Sequence, residues 1–109
     1  MNREIKFRGK DILHKSWQYG SLAKDEPQKS YYIIDNEYGR GIDVDKETIG
    51  QYTGLHDKNG KEIYEGMIIN NEYIVVYNLS KFALKNKNNG NIIDFERIKN
   101  YEITGEYFE

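Results

Sequence analysis

MIINNEYIVVYNLSKFALKNKNNGNIIDF, residues 67–95, holds four short apolar runs separated by turn residues. The runs are Met67–Ile69, Tyr73–Tyr77, Phe82–Leu84 and Asn91–Phe95. Asn70-Asn71, Asn78 to Ser80 and Asn86 to Gly90 separate them. Each run is too short for a helix and rich in β-branched or aromatic residues, so each reads as a strand. Asparagine tolerates the left-handed backbone that tight turns demand. The stretch therefore predicts an antiparallel meander, and residues 62–84 suggest the SH3-like meander of a small barrel.

The same period of two runs outward from this stretch. Ile5 and Phe7 alternate with Lys6 and Arg8, and Trp17 and Tyr19 alternate with Gln18 and Gly20. Both patterns fit half-buried strands, with a turn near His14–Ser16. Tyr31–Ile34 and Ile42–Val44 predict two more strands around the polar turn 35–39. Asp45 is a favoured N-cap for one short helical turn, and Glu96–Asn100 suggests another. Thr48–Thr53 reads as extended, and Tyr101–Phe108 as a last strand. Asp57-Lys58-Asn59-Gly60 is the clearest turn, with Asn59-Gly60 as the expected hairpin pair. No window of twelve residues holds a helical apolar stripe free of glycine. The expected class is all-β and mainly antiparallel: a small barrel or sandwich of short strands, with at most short helical turns, in one domain over residues 1–109.

The 109 residues contain no cysteine, which excludes disulfides and thiolate zinc sites. MNREIKFRGK carries charges where an export signal needs an apolar run, so the cytoplasm of the host cell is the expected compartment. The longest apolar stretch, Tyr73–Tyr77, is far too short for a membrane-spanning helix. The net charge is −2, but it is zoned. Residues 1–24 carry six basic side chains against two acids, residues 35–66 carry eight acids against four bases, and residues 73–93 carry three lysines and no acid. That balance argues against duplex-DNA binding, which calls for a strongly basic face.

Signals of catalysis are weak. His14 and His56 are the only histidines and lie far apart. No serine sits in a nucleophile elbow, and Gly39-Arg40-Gly41 is a turn rather than a phosphate loop. The turn Asp57–Gly60 lacks the later ligands of a calcium loop. The expectation is a non-enzymatic protein with no metal and no cofactor. Binding is better supported. Arg3, Lys6 and Arg8 on one strand face Trp17 and Tyr19 on its neighbour, and cations interleaved with aromatic rings suit phosphates and flat rings. There are ten tyrosines, and such residues are also enriched at self-association surfaces.

IGQYTGLHDKNGKEIYEGMII, residues 49–69, resembles the signature of the YopX family of phage and prophage proteins. REIKFRGKDI, WQYGSL and YYIID resemble that family's N-terminal half in content and order, and YEITGEYFE resembles its ending. Met67 and Glu106 depart from the family pattern, which has Asp and Asn at those places. The resemblance implies a compact β-containing phage protein that forms homo-oligomers, and it transfers no catalytic residues. It suggests a role against host defence, and the basic residues interleaved with tyrosines suggest that this works by sequestering a nucleotide-type signal. The candidate contacts are Lys6, Arg8, Trp17, Tyr19, Gln51, Tyr52, Thr53 and Tyr64. The alternatives are a module that docks on a host or defence protein through exposed strand edges, and a small nucleic-acid-binding β-barrel.

Overall fold

The computed structural model describes residues 5–108. Arg3, one of the expected cations, lies outside them. The chain divides into two compact units, Met1–Tyr52 and Thr53–Glu109.

The first unit contains β1 (Phe7–Lys10), β2 (Trp17–Asp25), β3 (Ser30–Ile34), β4 (Gly41–Val44) and the start of β5 (Gly50–His56). Its strand neighbours run β4–β3–β2–β1–β5, all antiparallel. Strand β2 serves two partners. Residues Trp17 to Gly20 pair with β1, and Ser21 to Asp25 pair with β3. The hand-over falls at Gly20, where a Cβ would stand 2.1 Å from the Ile34 carbonyl oxygen. The sheet then curls until Asp11 bridges Val44. Gly9 permits this, because Val44 side-chain atoms lie 3.0 Å from where its Cβ would be. A 3-10 turn at Lys46–Thr48 follows, and Asp45 caps it by accepting from the Glu47 N–H. Thr48 ties the turn to β1: its hydroxyl accepts from the Lys10 N–H at 2.8 Å and donates to the Asp45 carbonyl at 2.7 Å. Ile33 and Val44 are buried in this unit.

In the second unit β5 continues toward β6 (Glu62–Tyr64). A five-stranded sheet follows in the order β10–β9–β8–β7–β11. These strands are β7 (Met67–Ile69), β8 (Tyr73–Asn78), β9 (Lys81–Asn86), β10 (Ile92–Ile93) and β11 (Ile103–Glu106). The meander expected from residues 67–95 is therefore present, although its last strand is only two residues long and Phe95–Arg97 forms a 3-10 turn. Ile63, Tyr64, Met67, Ile69, Val75, Ala83, Leu84 and Phe95 form the buried apolar set. A fully buried side chain of the Val, Leu, Ile or Phe type contributes about 1.5–3 kcal/mol. The all-β, antiparallel class holds throughout. Both sheets are open, so no closed barrel forms among the described residues.

Two hairpin turns differ from expectation in chemistry. At Asn59-Gly60 only Gly60 has positive φ, and the Asp57 N–H donates to the Lys61 carbonyl, so three residues form the loop rather than an Asn-Gly pair. Paired positive φ occurs instead at Asn70 (54°) and Asn71 (56°) and, in the two-residue turn between β8 and β9, at Leu79 (50°) and Ser80 (68°). Neither Leu79 nor Ser80 is suited to that backbone, and Leu79 is 89% exposed. Replacing both, Leu79→Asn with Ser80→Gly, is expected to stabilise the protein by about 1–2 kcal/mol, because the new pair adopts the turn with little strain. The urea midpoint measures this. An unchanged or lower midpoint would show that the turn is not strained.

Candidate functional site

Alternation along residues 6–10 sends Lys6, Arg8 and Lys10 to one sheet face. The register sets Tyr19 opposite Arg8 and Trp17 opposite Lys10, and the Tyr52 N–H donates to the Lys6 carbonyl. Three aromatic rings thus share the face with three cations. The Arg8 guanidinium carbon lies 3.7 Å from the Trp17 ring centre, and Lys10 Nζ lies 5.5 Å from the same ring. Lys6 Nζ lies 5.3 Å from the Tyr52 ring. Each such contact is worth about 0.5–2 kcal/mol, more where water is excluded.

The eight sequence-expected contacts do not all meet. Arg8 is 0% exposed, and Tyr52, Thr53 and Tyr64 are 4%, 5% and 1% exposed. None of the four has surface to offer a ligand in this conformation. Thr53 and Tyr64 lie in the second unit. The Thr53 hydroxyl donates to the Ile63 carbonyl and accepts from the Leu55 N–H, and the Tyr64 hydroxyl donates to Glu62 Oε1. Gln51 stands opposite Phe7, on the other face of β1 from Arg8. Trp17 and Lys6 are half-buried, while Tyr19 is 46% exposed.

A cleft of about 350 Å³ in the first unit opens beside Lys6 and Tyr19. Its other wall is the loop from Asp35 to Arg40, which presents Tyr38 and Arg40. Asp35 organises that loop. Its backbone N–H donates to the Arg40 carbonyl at 3.0 Å, its carbonyl accepts from the Gly39 N–H at 2.9 Å, and its Oδ1 accepts from the Tyr38 N–H. Gly39, at φ +70°, turns the chain, so Tyr38 stands out with 69% exposure. The Arg40 guanidinium lies 5.2 Å from the Tyr38 ring centre. The Tyr38 N–H bond, with the Arg40 backbone and charge behind it, outweighs burial and holds the Asp35 carboxyl below its ordinary range. Asp35 Oδ2 is shielded from water and stands 3.5 Å from Arg40 Nε, too far for a good hydrogen bond.

Sequence reading missed Asp35, Tyr38 and Arg40, which it treated as a polar turn. The signal was present: an Asp three residues before a backbone N–H it can accept, with an aromatic and a cation flanking a glycine. The resulting set offers ring faces at Tyr19 and Tyr38, cations at Lys6 and Arg40, and carboxylates at Asp35 and Glu37.

Among the described residues, no group of three or more His, Asp or Glu side chains is placed to hold a metal ion. No helix there is long and apolar enough to cross a membrane. Among curated proteins no relative matches the chain. The model of the YopX protein family matches residues 6–109, nearly the whole chain, and the chain accordingly belongs to this family of phage-type proteins.

Proposed function

We propose that the protein is a non-enzymatic accessory protein that counters host defence by binding and sequestering a nucleotide-type signal in the cleft between Tyr19 and the Asp35–Arg40 loop. The observation that carries this reading is the convergence of two exposed tyrosines and two cations on one cleft of about 350 Å³. That volume lies within the ordinary range for small-molecule sites. Tyr19 and Tyr38 offer stacking faces for a base, and Lys6 and Arg40 offer charge-assisted bonds to phosphate. Sequestration needs only such binding. It acts in the host cytoplasm, and a homo-oligomer would supply several equal sites.

Calorimetry against cyclic dinucleotides and ADP-ribose-type nucleotides tests the reading. At least one should bind. Tyr38→Ala and Arg40→Ala should each weaken that binding about tenfold, since a lost stack or charged hydrogen bond is worth roughly 1–3 kcal/mol. Both side chains are largely exposed, so these variants should fold. Silence from every nucleotide, or variants that bind like the wild type, would refute the assignment.

A further inference from the structure

A second cleft in the first unit, of about 380 Å³, shares no lining residue with the first. Three separate turns each place one lysine on it: Lys15 from the β1–β2 turn, Lys29 from the β2–β3 turn and Lys46 from the 3-10 turn. All three are exposed. Among the described residues no ion pair engages any of the three ammonium groups. Like charges gathered on one concavity raise its potential and draw in anions.

Backbone strain adds an independent observation. Lys15 has φ 61° and Lys29 has φ 55°, in the left-handed region that glycine or asparagine adopts more easily. The Lys15 N–H donates to the Asp11 carbonyl and the Lys29 N–H to the Glu26 carbonyl, bonds that glycine would make as well. The turns therefore do not require lysine. Side chains held at strained positions cluster at ligand clamps, and here both point to one cleft. Ile12 and Tyr31 give the cleft an apolar side. Two exposed carboxylates also line it, Asp43 and Asp45, the latter accepting from the Glu47 N–H through Oδ1, so three lysines against two acids leave the cleft a surplus of one positive charge.

We propose that Lys15, Lys29 and Lys46 form a binding site for a linear polyphosphate group, free or carried by a nucleoside. Three ammonium groups from three turns match an extended chain of phosphates better than a single one. Asp43 and Tyr31 favour a ligand that continues into a ribose and a ring.

The test measures binding of inorganic tripolyphosphate and of ATP to the full chain by calorimetry, at low and physiological salt. Both should bind, more weakly at higher salt. Binding of tripolyphosphate equal to ATP assigns recognition to the phosphate chain, whereas tighter ATP binding adds the nucleoside contacts. The double variant Lys15→Gly/Lys29→Gly should lose at least tenfold in affinity while its melting temperature rises, because the strain is relieved. Lys85→Ala/Lys87→Ala removes two charges in the other unit and should leave affinity unchanged. The site is overturned if neither anion binds, if the glycine variant keeps its affinity, or if both double variants lose affinity equally.

Discussion

Gly20→Ala is expected to destabilise the first unit by at least about 3 kcal/mol, enough to leave much of it unfolded. The added methyl would lie 2.1 Å from the Ile34 carbonyl oxygen and 2.9 Å from its carbon. Both are backbone atoms, so no rotamer change relieves the clash. Ile34 is fixed on both sides, pairing with Ser21 on β2 and with Gly41 on β4. Moving it away would open the register of β3 just where β2 changes partner from β1 to β3. Gly39→Ala is the matched control. Gly39 also has positive φ, but nothing lies within 4 Å of its would-be Cβ, so only the conformational penalty of about 1 kcal/mol applies. Urea denaturation of the two variants should separate them widely. A Gly20→Ala protein as stable as the Gly39→Ala protein would contradict the close approach of β2 and β3.

This glycine also marks the limit of what the sequence reveals. Alternation located β1 and the first half of β2, because a period of two is a local property of side chains. Nothing local says that β2 runs nine residues and serves two partners. Gly20 reads as an alternating small residue, and only the carbonyl of a strand far along the chain explains it. The same holds for the site. Placing Lys6 and Arg8 beside Trp17 and Tyr19 needed only strand pairing. The burial of Arg8 was not legible, because a charged residue in an alternating strand reads as solvent-facing. The stack on Trp17 lets a planar, weakly hydrated guanidinium enter where lysine would not. Tyr38 and Arg40 escaped because loops are read as connections, whereas here one ionised Asp35 makes the loop a wall.

Asp57→Ala is expected to cost about 2–4 kcal/mol, measured by the same urea titration. Asp57 is 6% exposed, and its carboxylate accepts from three backbone N–H groups. Oδ1 takes Asn59 and Lys61 at 2.9 Å each, closing the β5–β6 turn, and Oδ2 takes Ile103 at 3.2 Å, fixing the start of β11. Removing the acceptor leaves these donors to find water, and bonds to a charged group are worth about 1.5–3 kcal/mol each before that compensation. Burial pushes the Asp57 carboxyl up, but the N–H groups of Lys61, Ile103 and Asn59, with the Lys61 charge, outweigh it and hold the group below its ordinary value of 3.8. The folded state thus binds this proton less readily than the unfolded chain. Its contribution is complete above the unfolded value and is lost as pH falls through the lower folded one. Asp57→Asn keeps an acceptor but cannot titrate. The stability gap between wild type and Asp57→Asn should therefore hold steady from pH 7 to about pH 5 and narrow below about pH 4. Subtracting the two curves removes the parallel acid losses from Asp11 and Asp35, whose carboxyls are also held low. A gap constant down to pH 2 would mean that the charge of Asp57 does not hold the turn, and that shape alone fixes β11 there.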